Sequence, residues 1–145
     1  MRMSMQGPLV VVENDKDDQE IFLDAVKDLG ITNHVIFFEM SSEAYQFLLD
    51  TKEQPLIIVS DINLPGEGGV EFKRRIDNNP FLREKSIPFI FFSTFIDKRA
   101  VDIAYKELTI QGFFRKSSHY EEYRNVIKMM IDYWKVCQHP NSFAH

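Results

Sequence analysis

The sequence contains a single cysteine, Cys137, and so cannot form an internal disulfide bond, which is typical of proteins from a reducing compartment. No apolar run approaches the roughly 20 residues that a membrane-spanning helix requires. The first seven residues also lack the apolar stretch of a signal peptide. The formal net charge of −5 argues against general nucleic-acid binding, which depends on a basic face. We therefore expect a cytoplasmic protein that binds neither membrane nor nucleic acid.

The composition that remains is that of an ordinary globular protein. Of the 145 residues, 44% are hydrophobic and 27% are charged. A chain of this length folds as one domain and is long enough to bury a sizeable core. We expect an N-terminal tail over residues 1–7, one domain over residues 8–138 and a C-terminal tail over residues 139–145.

Short apolar runs alternate with helical patterns along the chain. The runs predict five strands, at residues 9–12, 34–39, 56–60, 89–92 and 113–115. After each strand, apolar residues recur at helical spacing; Ser41 and Asp97 are the expected N-caps of the second and fourth helices. Strict alternation predicts an α/β fold, a (βα)5 doubly wound parallel sheet. For five strands, the flavodoxin-like order 2-1-3-4-5 is the most economical arrangement.

Chemically reactive side chains stand where four of these strands end. Glu13, Asn14 and Asp15 follow the first strand, Asp61 follows the third, Ser93 ends the fourth and Lys116 follows the fifth. The carboxyl ends of parallel strands form the edge where open α/β sheets bind their ligands. Carboxylate oxygens suit Mg²⁺, whereas a lysine and a hydroxyl suit a phosphoryl group. The pattern predicts a phosphoryl-and-metal site at this edge.

Several of these residues also have a purely structural explanation. Asp15, Asp17 and Asp18 are suited to cap the first helix and to favour its positive end. Asp61 is of a residue type that often forms turns, and Lys116 can be a solvated surface lysine. The site interpretation therefore depends on the convergence of all four strand ends, because no single residue requires it.

The chain resembles the receiver domain of two-component response regulators over about residues 8 to 138. Four segments carry the resemblance, at residues 10–18, 60–66, 88–94 and 112–116. Each is weak alone, but all four occur in order at receiver-like separations. We expect a chemotaxis-type, stand-alone regulator, because the 145 residues end close to the expected end of the last helix and a DNA-binding output domain is not expected among them.

The resemblance implies specific roles in phosphorylation and Mg²⁺ binding. Asp61 would be the phosphoacceptor, with Lys116, Ser93 and Thr94 as the phosphoryl-binding and switch residues and Phe113 as the switch aromatic. The implied metal ligands are Glu13, Asn14, Asp61 and the backbone carbonyl of Asn63, with Asp15 as an additional candidate. The protein would not be an enzyme acting on other molecules, since receivers catalyse only their own phosphotransfer and dephosphorylation.

The resemblance also implies protein partners. The phosphoryl donor would be a sensor histidine kinase or a histidine phosphotransfer protein, and the output would be contact with a downstream protein target. The fifth strand is short and lies at the edge of the expected sheet, and such edges invite docking. We expect the fourth helix, the fifth strand and the last helix to form the output surface, which is also a candidate homodimer interface.

Two positions depart from the receiver pattern. Asn14 stands where receivers carry a second metal-binding carboxylate, and Ser117 stands where they usually have proline. These departures leave open an adaptor that works without phosphorylation, a pseudo-receiver. A phosphohydrolase with an aspartate nucleophile is a further alternative, although Asn63 occupies the place of its general acid. A flavin-binding domain of the same fold is disfavoured, because residues 13–15 would repel a phosphate.

Overall fold

The computed structural model describes residues 6–138. The strands are β1 (Leu9–Val12), β2 (Val35–Phe38), β3 (Ile57–Ser60), β4 (Phe89–Ser93) and β5 (Gly112–Arg115). The helices are α1 (Lys16–Asp28), α2 (Ser41–Asp50), α3 (Gly69–Asp77), α4 (Pro80–Lys85), α5 (Lys98–Glu107) and α6 (Tyr120–Val136). Within the described range, every helix is too short or too polar to cross a membrane. The predicted tail 139–145 and most of the tail 1–7 lie outside these residues.

All five strands are parallel and form one sheet in the order β2-β1-β3-β4-β5. This confirms the predicted fold class and strand order. The order reverses between β1 and β3, where Val12 lies opposite Ser60. Residues 13 and 61 therefore leave the sheet side by side, at the switch point where such folds bind their ligands.

The core consists of two apolar layers, one on each face of the sheet. Because side chains alternate along a strand, neighbouring residues of β1 belong to different layers. Val11 packs with α1 and α6, in a layer that contains Phe22 and Ile127. Val10 packs on the other face, in a layer that contains Leu48 and Phe72. Helices on both faces explain why β1 is apolar throughout and why β3 and β4 are apolar up to the serine that ends each of them.

Aspartates begin two of the helices. Oδ1 of Asp15 accepts hydrogen bonds from the N–H groups of Asp17 at 2.8 Å and Asp18 at 3.4 Å. Oδ1 of Asp97 accepts one from the N–H of Ala100 at 2.8 Å, so the predicted cap at Asp97 is confirmed. Each cap is worth about 1 kcal/mol of stability.

The expectation that Ser41 caps α2 was wrong, because Met40 occupies the cap position. The hydroxyl of Ser41 lies instead 2.8 Å from a carboxylate oxygen of Glu67 and 2.9 Å from its main-chain oxygen. Arg75 binds the same carboxylate through two nitrogens, at 2.8 and 2.9 Å. A tertiary contact with the loop after β3 has therefore replaced the local cap.

The helix α4 was not expected from the sequence. The segment 77–80 ends α3 as predicted, but Asn79 also starts a new helix, because its side chain accepts the N–H of Leu82 at 3.1 Å. Pro80 occupies the first helical position, where its missing N–H costs no hydrogen bond. The same residues thus serve as the end of one helix and the start of the next.

Candidate functional site

Asp61 lies directly after β3 with its side chain 13% exposed. Its Oδ1 accepts hydrogen bonds from the N–H groups of Ile62 at 2.7 Å and Asn63 at 3.2 Å, and from the hydroxyl of Ser93 at 2.9 Å. Its Oδ2 lies 3.4 Å from Nζ of Lys116. Three donors therefore hold one oxygen of this carboxylate, and the other oxygen faces a cation.

The ammonium group of Lys116 is buried among three carboxylates, with its side chain 8% exposed. It contacts Glu13 closely, and it lies 3.1 Å from Asp18 and 3.4 Å from Asp61. Burial alone would lower the pKa of Lys116, but the hydrogen bond to Glu13 and the three negative charges outweigh it and raise that pKa. Lys116 is therefore a fixed positive charge at neutral pH.

Glu13 is the most deeply buried acid of the site, at 4% exposure. Its Oε2 accepts the N–H of Asp15 at 3.1 Å, and its main-chain oxygen accepts the Gln19 amide at 2.6 Å. Burial raises the pKa of Glu13, and the charge of Asp61 adds to the increase, although Lys116 opposes both. A further cation beside Glu13 would relieve this cost.

The acidic groups fit a divalent cation. Carboxylate oxygens of Glu13, Asp18 and Asp61 lie within 4.8 Å of one another. These three carboxylates face the single ammonium of Lys116, so negative charge is in excess. Hard oxygen ligands of this kind suit Mg²⁺ or Mn²⁺ better than a metal that prefers nitrogen or sulfur.

The sequence-predicted residues separate into two groups in the structure. Glu13, Asp61, Ser93 and Lys116 come together, and Ser93 is almost fully buried at 1% exposure. Four other candidates, Asn14, Asp15, Asn63 and Thr94, are exposed around this centre. Asp15 does not join the acidic cluster, because its carboxylate caps α1.

Phe113 lies on β5 and packs into the core layer opposite α6. Its ring centroid is 5.4 Å from that of Phe91. Phe91 precedes Ser93 by two residues on β4, and both side chains are buried. The aromatic pair therefore connects the edge strand β5 to the strand that carries the buried hydroxyl.

Asp18 was missed as a site residue by the sequence analysis, which assigned it to the helix terminus. Its carboxylate instead reaches Lys116 and the acidic cluster. One sequence signal could have indicated this, because Asp18, Phe22 and Ala25 are spaced i, i+4 and i+7. That spacing places all three on one face of α1, and Phe22 and Ala25 are buried.

Comparison with known proteins agrees with this fold. Response regulator Rcp1 of Synechocystis is 26% identical over an alignment of 131 residues, and the match covers 87% of each chain. The crystal structure of the phosphorylated cyanobacterial phytochrome response regulator RcpA superposes with a TM-score of 0.81 at 22% identity, covering 93% of this chain and 99% of that one. The crystal structure of the Mn²⁺-bound form of Rcp1 superposes with a TM-score of 0.79 at 22% identity, covering 92% of this chain and 99% of that one. The sequence model of the response regulator receiver domain matches residues 9–128, and the chain therefore belongs to this family.

Proposed function

We propose that this protein is the phosphoacceptor of a two-component phosphorelay and that Asp61 takes the phosphoryl group from a phosphohistidine. The main support for the proposal is that the two oxygens of the Asp61 carboxylate have different partners. Its Oδ1 is held by Ser93 and two main-chain N–H groups, whereas Oδ2 faces Lys116. A carboxylate fixed in this way presents one oxygen as a preoriented nucleophile.

In the proposed reaction, Oδ2 of Asp61 attacks phosphorus in line with the leaving imidazole. The P–O bond forms as the P–N bond of the phosphohistidine breaks, through a loose transition state. Lys116 stabilises the charge on a phosphoryl oxygen. The hydroxyl of Ser93 can transfer its hydrogen bond from Oδ1 of Asp61 to a second phosphoryl oxygen, since it already lies 2.9 Å from that carboxylate oxygen.

Mg²⁺ would be held by Glu13, Asp18 and Asp61, and it would neutralise charge on the phosphoryl oxygens. Asn14 and the backbone carbonyl of Asn63 remain further proposed ligands through neutral oxygens. We propose that Asp18 supplies the negative charge that Asn14 lacks, because its carboxylate reaches the cluster from α1. The departure at Asn14 is thereby compensated within this chain.

The output of the proposed switch is a change in a protein-binding surface formed by α5, β5 and α6. Movement of Ser93 toward the phosphoryl group would pull on β4 and on the contact between Phe91 and Phe113. The surface beyond that contact includes exposed apolar side chains, among them Tyr105, Met129 and Tyr133. The proposed partners are a histidine kinase or phosphotransfer protein, a downstream protein and a second copy of the chain, all in the cytoplasm.

Mass spectrometry after incubation with acetyl phosphate and Mg²⁺ tests this proposal. The parent should gain the mass of one phosphoryl group, and Asp61→Asn should gain none. Asp50→Asn is the matched control, because Asp50 is exposed at the end of α2. An adaptor that works without phosphate would leave the parent unlabelled. A phosphohydrolase would release phosphate continuously from the donor without accumulating the labelled protein.

A further inference from the structure

A cavity lies near the amino ends of the strands, at the end of the sheet away from Asp61. Its volume is about 230 Å³. Ile87 and Gln111, which line it, come just before β4 and β5, whereas Ser93 and Lys116 lie at the other ends of these strands. The cavity is therefore separate from the proposed phosphorylation site.

A buried lysine forms one wall of this cavity. Lys73 is 4% exposed, and its Nζ donates hydrogen bonds to Oδ1 of Asp77 at 2.7 Å and to the hydroxyl oxygen of Thr109 at 3.0 Å. Asp77 also accepts the hydroxyl of Thr109 at 2.7 Å and its N–H at 3.0 Å. Both oxygens of Asp77 are thus engaged, so this carboxylate is poorly placed to accept from a ligand.

Lys73 and Arg83 together carry more N–H donors than these contacts use. An ammonium group carries three N–H donors and a guanidinium carries five. Lys73 uses two of its donors on Asp77 and Thr109, and its Nζ also lies 5.2 Å from the centroid of the Phe89 ring. Arg83 reaches the main-chain oxygen of Asp77 at 3.5 Å, so the larger number of spare donors is on Arg83. Two cations face one carboxylate, so the lining has an excess of positive charge. The repulsion is reflected in Lys73, whose pKa is lowered by burial and further by the charge of Arg83.

The apolar part of the lining limits the shape of the ligand, and Ser86, Thr109 and Gln111 are the other polar residues that line the cavity. Leu48, Ile76 and Leu82, from three different helices, contribute to it and are all buried. An apolar cavity of about 150 Å³ is large enough to hold benzene. A cavity of about 230 Å³ accordingly has room for a ring together with a charged group.

We propose that this cavity binds a small monoanion, a carboxylate attached to a compact apolar body. The carboxylate would accept hydrogen bonds from Lys73 and Arg83, and the apolar body would lie against Leu48, Ile76 and Leu82. The anion would also balance the excess positive charge, which Asp77 alone does not neutralise. The proposal does not rest on phosphorylation at Asp61, because the residues that line the cavity are distinct from those of the phosphorylation site.

An NMR titration of the full chain with benzoate tests the proposal, with neutral benzamide as the matched probe. Benzoate should cause saturable shifts in the amides of Lys73, Thr109 and Gln111 and little change at Asp61. Benzamide should bind at least about fivefold more weakly, because it lacks the charge. Equal binding of the two probes, absence of saturable shifts around the cavity, or shifts centred on Asp61 would each overturn the proposal.

Two substitutions sharpen this test. Arg83→Gln should weaken benzoate about fivefold, whereas Arg99→Gln, which removes an exposed charge from α5, should leave it unchanged. Lys73→Met should abolish binding in a protein whose spectrum remains folded. Arg83 is exposed and its substitution does not threaten the core. Unchanged binding in Arg83→Gln, or equal loss in Arg83→Gln and Arg99→Gln, would contradict the assignment.

Discussion

Oδ2 of Asp18 lies 3.1 Å from Nζ of Lys116, although the two residues are 98 positions apart in the chain. The first comes from the first turn of α1 and the second from the end of β5. Their contact means that one carboxylate of the acidic cluster, that of Asp18, comes from a helix rather than from a strand end. The metal-binding properties of the site should follow from this arrangement.

Replacing Asp18 with asparagine should weaken Mg²⁺ binding about tenfold, the scale of loss when a metal site loses a supporting carboxylate. Isothermal titration calorimetry measures the affinity. Asp17→Asn is the control, because it removes the same charge from the same helical turn, where Asp17 is exposed. Equal losses of Mg²⁺ affinity in the two variants would show that only the general negative charge matters. An unchanged affinity in Asp18→Asn would show that Asp18 does not bind the ion.

Replacing Asn14 with aspartate should tighten Mg²⁺ binding. The substitution adds a charged oxygen next to Glu13, whose burial already favours a nearby cation. Calorimetry should give a lower dissociation constant than for the parent. Asn125→Asp adds the same charge on the exposed face of α6 and should have no effect. If Asn14→Asp binds no more tightly than the parent, Glu13 and Asp18 already supply all the charge that the ion requires.

Asp15→Ala should lower the free energy of unfolding by about 1 kcal/mol, because it removes the cap of α1. Mg²⁺ affinity should change far less than in Asp18→Asn, since the Asp15 carboxylate is engaged by main-chain N–H groups. Urea denaturation and calorimetry measure the two quantities. Asp97→Ala, which removes the cap of α5, should cause a similar loss of stability. A tenfold loss of Mg²⁺ affinity in Asp15→Ala would make Asp15 a ligand after all.

The stability of the protein should depend on the ionisation of Asp77. Burial alone would raise the pKa of Asp77, but hydrogen bonds from Lys73 and Thr109 outweigh it and hold that pKa below its usual value of 3.8. A lowered acid pKa stabilises the fold above pH 3.8 and ceases to do so as the pH falls through the native pKa. Asp77→Asn should therefore unfold at lower urea than the parent at pH 7, with a smaller difference at pH 3.

The matched control for this pH dependence is Asp50→Asn, at an exposed position on α2. Its urea midpoint should follow that of the parent at both pH values. A difference between parent and Asp77→Asn that stays constant from pH 7 to pH 3 would show that the effect of the substitution is steric. The ionised carboxylate would then add nothing of its own.

The sheet and its reactive edge could be predicted from the sequence because both depend on simple rules. Alternation of apolar runs with helical patterns gives a parallel sheet, and parallel strands bring their ends to one edge. Asp61, Ser93 and Lys116 follow directly from those rules. Their positions require no knowledge of how a helix is rotated against the sheet.

The features that could not be predicted from the sequence depend on tertiary contacts that compete with local ones. Asp15 and Asp18 both suit a helix start, and only the rotation of α1 decides that one caps and the other enters the site. Ser41 is a favoured capping residue, yet its hydroxyl contacts Glu67, 26 positions away. Asn79 and Pro80 signal the end of a helix as well as its beginning.

Reduction of the phosphorylated protein with borohydride, followed by peptide mass mapping, identifies the residue that carries the phosphoryl group. Hydride reduces an aspartyl phosphate to homoserine, so it marks the residue that carried the phosphoryl group. We expect homoserine at position 61 alone, in a reaction that requires Mg²⁺ and is absent from Asp61→Asn. A homoserine at Asp15 or Asp18, or a labelled protein with residue 61 unmodified, would contradict it.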